Sequence, residues 1–295
     1  SALRMRLARR DLLLVLVITT LWGLNLIVGR VGLAEIPPFT FTALRFAALA
    51  LLLLPFLCAP RGQLRPLVAA MLLSGALPFA LVFWGLSLAE NVSSVAIASQ
   101  LGVPFTTLLS VWFLGEVVRW RRWSGIVLSF VGVMVMGFDP QVFGYWPSLL
   151  LVIGSALTGA FGLMAVKRLS GFAPLEIQSW MALVSVLPVA LAALLLERQA
   201  WPQLLEVSWR GWSALAYATI FASLIAQSIF YYLVQRYPVT SVAPLTTLSP
   251  VLSVVFAVTL LGDQLTLKIA VGGLLTLLGV FVITLRERRL TDIAT

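Results

Sequence analysis

The side chains of this sequence that could do chemistry inside its apolar stretches are amides, hydroxyls and aromatic rings: Trp22, Asn25, Phe79, Phe83, Trp84, Gln100, Thr158, Phe161, Gln227, Tyr231 and Thr247. Groups of this kind hold a ligand without reacting with it. An amide or hydroxyl supplies an oriented hydrogen bond, and a ring supplies an apolar face that also attracts an ammonium. Acid/base and covalent chemistry find little material. The 295 residues include no histidine and one cysteine, Cys58, while Glu90, Glu116, Glu176 and Asp263 stand at the ends of apolar segments. A thiolate cluster and an internal disulfide are excluded, and no catalytic set, metal centre or cofactor is expected. The plainer role for any one of these residues is a hydrogen bond between helices or, for the aromatics, a place in an interfacial belt. Gln100 and Gln227 weigh most against it, because an amide so far from a segment end is costly to leave unpaired.

The elements that position these residues are membrane helices. Hydrophobic residues make up 61% of the chain and charged residues 11%, with a mean hydropathy of +1.04, against about 25% charged in a soluble domain. Ten apolar segments, each bounded by charges, prolines or glycines, lie at about 11–33, 38–57, 66–89, 92–114, 124–138, 146–166, 174–196, 211–234, 240–261 and 266–285. An open strand edge cannot be satisfied in hydrocarbon, so all are expected to be helices. The net charge of +9 does not indicate nucleic acid, since the basic residues sit at segment ends and not on one face. The expected partners are the lipid bilayer and a small molecule. Fifteen Lys and Arg residues fall on the N-terminal side of the membrane and three, Arg198, Arg210 and Lys268, on the other, which places both termini in the cytoplasm. Arg4, Arg6, Arg9 and Arg10 precede an apolar run as in a signal peptide, but the run is too long and lacks a small-residue cleavage site. A retained first span is expected.

The chain repeats itself. Ser94 to Val133 aligns without gaps on Ser241 to Val280, 147 residues on, with 11 of 40 positions identical, among them Gly115/Gly262, Gly125/Gly272 and Gly132/Gly279. At a smaller offset of 136, Trp22-Gly23 falls on Thr158-Gly159 and Pro38 on Pro174, which places an 11-residue insertion between, most easily in Glu197 to Arg210. Ten spans in two sets of five, residues 1–138 and 139–295, require the second set to enter the membrane the other way up. The repeat pairs Trp22 with Thr158, Asn25 with Phe161, Trp84 with Tyr231 and Gln100 with Thr247, and Gln227 lies four residues before Tyr231 on the same helix face.

The opening run WGLNLIVGR, followed by Pro38 and by Arg45 in the second segment, resembles the EamA family of the drug/metabolite transporter superfamily. So does a proline-bearing segment ending in Leu114-Gly115-Glu116 before a glycine-spaced helix, a pattern repeated at Leu261-Gly262-Asp263. The resemblance covers nearly the whole chain. It implies an all-α, ten-helix transporter of two inverted five-helix repeats in a bacterial inner membrane, most like the YddG-type exporters of aromatic amino acids. Its central site would be lined by the first, third, fourth, sixth, eighth and ninth helices. In the second half Asp263 replaces the family's Glu and Met181 replaces its Arg, so Gly115, Glu116, Gly262 and Asp263 are read as framework.

Gly125, Gly132, Gly272 and Gly279 are expected to let helix backbones approach closely, with a homodimer face as the alternative. Pro104 and Pro250 each remove a backbone donor inside a helix and serve as a hinge or a static bend. Arg30 is expected to reach the outer headgroups and Arg45 to pair with a carbonyl or an acid inside the bundle. No acid or histidine lies well inside a segment to carry proton coupling, and too few basic groups do so to answer a phosphate ester. A carrier built this way suits a neutral or zwitterionic cargo with apolar bulk, moved down its gradient. Lipophilic drugs, a passive channel and, from another class, a lipid-modifying enzyme are the alternatives.

Overall fold

The computed structural model describes residues 9–114, 118–236 and 247–284. Among these, ten apolar rods follow one another: α1 Arg10–Leu33, α2 Pro38–Phe56, α3 Leu64–Leu88, α4 Val92–Phe113, α5 Trp120–Gly137, α6 Trp146–Lys167, α7 Pro174–Leu196, α8 Trp209–Phe230, α9 Leu248–Leu261 and α10 Leu267–Thr284. Eight of them, all but α5 and the shorter α9, are long and apolar enough to cross a membrane. α5 begins at Trp120, four residues before the expected start, because its basic first turn, Trp120 to Trp123, is already helical.

The turns gather at two ends. Glu35 in the α1–α2 turn accepts from the amide and hydroxyl of Ser208 before α8, and Glu197 after α7 accepts from the amides of Phe39 and Thr40 at the start of α2. Asp263 after α9 accepts from the amide and hydroxyl of Ser93 at the start of α4, while the Thr266 hydroxyl donates to Asp139 in the α5–α6 turn. These ties define an α1–α2 end. At the opposite α2–α3 end, Arg61 pairs with Glu176 at 3.2 Å and the Gln63 amide donates to the Ser170 carbonyl. At the first end, carboxylates satisfy orphan amides at the starts of neighbouring helices, a cap worth about 1 kcal/mol each.

Inside, α1 lies against α8 and α9, and α6 lies against α3 and α4. Two pairs, α2 with α7 and α5 with α10, close the sides. The α5–α10 seam uses the small residues. A Cβ on Gly132 would stand 2.5 Å from the Gly272 carbonyl oxygen, and one on Gly125 2.7 Å from that of Gly279. Between them Ser129 and Thr276, themselves 147 residues apart, each direct a hydroxyl at the other's carbonyl, at 3.5 and 3.4 Å. The close approach that the glycines predict is therefore made within the chain.

Three rods carry wide π turns, at Leu72–Ala76 in α3, Tyr217–Ile225 in α8 and Ala257–Leu261 in α9. The first two occupy equivalent positions at the 147-residue offset. Such turns loosen the ladder of backbone bonds and leave carbonyls for side chains of neighbouring helices. In α8 the Ala222 carbonyl accepts from the Trp22 indole and the Ser223 carbonyl from the Gln178 amide.

Candidate functional site

One apolar core joins all the inner rods at the α1–α2 end. Ile27 of α1, Phe83 and Leu86 of α3, Ile97 and Leu101 of α4 and Ala257 of α9 belong to it. The Arg30 guanidinium donates to the carbonyls of Leu86 at 2.7 Å and Ser87 at 3.3 Å, tying the last turn of α1 to that of α3. Arg30 thus binds a helix C-terminus, where a cation is favoured, rather than reaching toward headgroups as expected. Toward the other end the described core divides. Val15 and Ile18 of α1 pack with Ala226 of α8 and with Leu233 in its continuation to Arg236, and Leu109 of α4 packs separately with Ala160 and Met164 of α6.

Trp22, Asn25, Gln100 and Thr158 are half-buried residues near the middle of their rods, and Gln227, also half-buried, lies toward the α2–α3 end of its helix. The Trp22 indole donates to Ala222 at 3.1 Å and its ring lies 5.4 Å from Phe230. Tyr217 donates to the Leu21 carbonyl and Ser253 to the Gly23 carbonyl, so α1 is fastened to α8 and α9 around Trp22. The Asn25 Oδ1 atom is buried without a partner. The Thr158 hydroxyl is spent on its own helix, at Gly154 and Ser155. Gln100 sits where α4 is interrupted between Val92–Ser99 and Gly102–Leu114. Pro104 causes that interruption: it cannot donate to the Gln100 carbonyl, which accepts from Val103 instead. The break expected at Pro104 therefore falls four residues earlier. Pro250 lies buried in the first turn of the described part of α9, and Thr247 stands just before it, at the counterpart of Gln100.

Phe83 is buried in the fused core, 5.3 Å from Phe41, and Phe79 packs against the same core and meets Phe46 edge-on at 5.4 Å. Trp84 is 37% exposed and leans on Phe39 of α2, and Phe161 is equally exposed against Phe113. Gly115 and Glu116 lie outside the described residues, as does the Tyr231 side chain. Asp263 caps the start of α4, and Gly262 supplies the left-handed residue (φ 74°) that ends α9.

Sequence reasoning missed the polar chain behind this site. Arg45, 4% exposed, donates through Nε and Nη2 to the Ser223 hydroxyl at 3.1 and 2.7 Å, and its guanidinium lies 4.7 Å from the Phe79 ring centre and 5.3 Å from that of Phe83. Its partner is thus a hydroxyl and two ring faces, neither the carbonyl nor the acid expected. Gln178 of α7 donates to the Ser223 carbonyl at 2.9 Å. Cation–π contacts return roughly 2 kcal/mol when desolvated, while burying a charge costs several. The charge of Arg45 is only partly answered by the protein. The Arg45 Nη1 and Gln178 Oε1 atoms are both buried without partners. The signal available in the sequence was the depth of Arg45 itself.

The EamA-like transporter family model matches residues 10–138 and 146–285. A probable amino-acid metabolite efflux pump of Salmonella typhimurium is 27% identical over 285 residues, covering 94% of this chain and 95% of that protein, and its Escherichia coli counterpart gives the same figures. The inner membrane transporter YedA of E. coli is 28% identical over 254 residues, 83% of this chain and 81% of that protein. A solved crystal structure, 20% identical, shares the fold with a TM-score of 0.61 over 92% of this chain and 96% of its own. Apolar rods of this length, matched end to end by proteins named as transporters, define a multi-pass membrane transporter. The chain belongs to the EamA-like transporter family.

Proposed function

We propose that the protein is a facilitative, alternating-access exporter of amino acids with large apolar or aromatic side chains, built from inverted five-helix repeats, residues 1–138 and 139–295. The observation that carries this reading is the divided core: α1, α8, α9 and α3, α4, α6 share one apolar cluster at the α1–α2 end, whereas toward the other end α1 with α8 and α4 with α6 form separate clusters. Two sets sealed at one end and apart at the other are what one half-cycle of alternating access requires. The reciprocal Ser129–Thr276 contact and the two family matches support the division into halves. With the basic loops inside, the α1–α2 end faces outward, both termini are cytoplasmic, and the structure is open to the cytoplasm. The efflux-pump name of the Salmonella and E. coli relatives supports amino-acid cargo.

Counterflow in proteoliposomes with radiolabelled Phe, Trp, Met, Thr and a phosphate ester, with and without a pH gradient, tests this. Saturable Phe exchange indifferent to the gradient is the expected result, and strict dependence on the gradient would refute uncoupled transport. Trp22→Ala or Gln227→Ala should weaken exchange about tenfold at normal expression. A second reading, lipophilic cargo, is favoured by an apolar cavity of about 370 Å³ between α4, α5 and α6, lined by Phe130, Phe138, Phe143 and Trp146. It predicts competition of lipophilic cations with Phe.

A further inference from the structure

We infer that Arg45 and Gln178 form a clamp for a zwitterion, in which the cargo's carboxylate accepts from Arg45 Nη1 and its ammonium donates to Gln178 Oε1. This rests on the amino-acid reading above and gives it an atomic site that the lining residues named from the sequence do not include. The two atoms are a free donor on a cation and a free acceptor on an amide, both buried and both without a partner. They are held on the same residue, Arg45 on the Ser223 hydroxyl and Gln178 on the Ser223 carbonyl, so they flank one point on the π turn of α8. Among the described residues, the neighbours of Arg45 are Ser223 and the faces of Phe79 and Phe83, and none is a carboxylate. A buried guanidinium lacking a counter-ion binds a carboxylate strongly.

A cavity lies one turn from the clamp along α7. It holds about 490 Å³ at the α2–α3 end and is lined by Pro55, Leu57, Leu175, Glu176, Ser228 and Tyr232. Gln178 lies one turn beyond Leu175 along α7, and Ser223 lies five residues before Ser228 along α8. The cavity thus lies at the α2–α3 end of the same two helices, α7 and α8, that carry Gln178 and Ser223. The second half does not repeat the arginine: at the 136-residue offset Arg45 corresponds to Met181, which packs on Gly75 in the π turn of α3. That replacement makes Arg45→Met a conservative probe, since the same fold already holds Met in the equivalent place.

Binding of Phe, 3-phenylpropionate and phenethylamine to the purified protein, read by thermal shift and intrinsic tryptophan fluorescence, separates the two contacts. The wild type should bind Phe most tightly. Arg45→Met should lose at least tenfold in affinity for Phe and 3-phenylpropionate and keep its affinity for phenethylamine. Gln178→Leu should do the reverse, sparing 3-phenylpropionate. Uniform loss across the three ligands, or none, in both variants overturns the clamp, as does a wild type that binds none of them. Should Arg45→Met not fold, Arg45→Lys, which keeps the charge, must retain preference for the carboxylates. The crossed pattern without Phe counterflow would refute the exporter and leave the clamp; wild-type counterflow in Arg45→Met would refute the clamp and leave the exporter.

Discussion

The two ends of the molecule are held by different chemistry. At the α1–α2 end, three helix starts are capped by carboxylates from other elements, α2 by Glu197, α4 by Asp263 and α8 by Glu35, and Arg30 closes the last turn of α3. At the α2–α3 end, Glu176 caps its own helix, α7, through the Ala173 amide, and its bond to Arg61 is solvent-exposed. A cap lent by another helix holds only while the two helices stay together. On the alternating-access reading proposed above, the Asp263 cap on α4 and the Arg30 tie from α1 to α3 cross between the two sets and would break on opening. The Glu35–Ser208 bonds, in contrast, stay within the set of α1 and α8. At the first end, then, a few polar contacts between elements lie above a shared apolar core.

The comparison can be broken first at the seam that spans both ends. Gly132→Leu would drive a side chain into the backbone of α10 at Gly272, costing about 3 kcal/mol or more. Loss of monodisperse protein is expected, with Gly137→Ala, whose added carbon meets the movable Leu149 side chain at 3.3 Å, as the near-neutral control. Next, Asp263→Ala leaves the Ser93 amide and hydroxyl unanswered, a loss of about 1–2 kcal/mol to the closed end. Maleimide labelling of a cysteine at the buried Ile27, in a Cys58→Ser background, should then speed up by about fivefold or more. Arg30→Met should act in the same assay with a smaller increase, since the α3 carbonyls it leaves stand at a helix end within reach of water.

The smallest effect is a pH dependence. The bonds from Ser208, and the nearby charge of Arg210, hold the Glu35 carboxyl below the ordinary carboxylate range. A depressed pKa contributes stability that is present above the unfolded-state value, about 4.3 for glutamate, and lost as pH falls through the folded one. Thermal stability should decline on acidification below that value, and Glu35→Gln should flatten that decline. An identical acid limb in the variant would remove Glu35 as its cause.

The rods were legible because a 20-residue apolar run admits one backbone solution in lipid, and the glycines at 125, 132, 272 and 279 were legible as packing because nothing else explains their spacing. The candidate site was legible in part. Trp22 and Gln100 could be picked out as polar groups at depth, yet the indole proves to be a fastener and the glutamine marks a broken helix. The π turns could not be foreseen, since no residue type demands them, and with them Ser223 and Gln178 stayed hidden. A serine in an apolar run and a glutamine one turn from a helix end carry no signal until the fold sets both beside Arg45.

The meeting of Ser129 with Thr276 has a further consequence. On the five-helix repeats proposed above, each residue touches its own counterpart, which is the contact that two separate five-helix chains would make across a two-fold axis. In such a pair every substitution is made twice, and a buried cation on one side forces one on the other. Joining the halves in one chain lifts that constraint, so that Arg45 can be placed once and its mirror position filled with Met181.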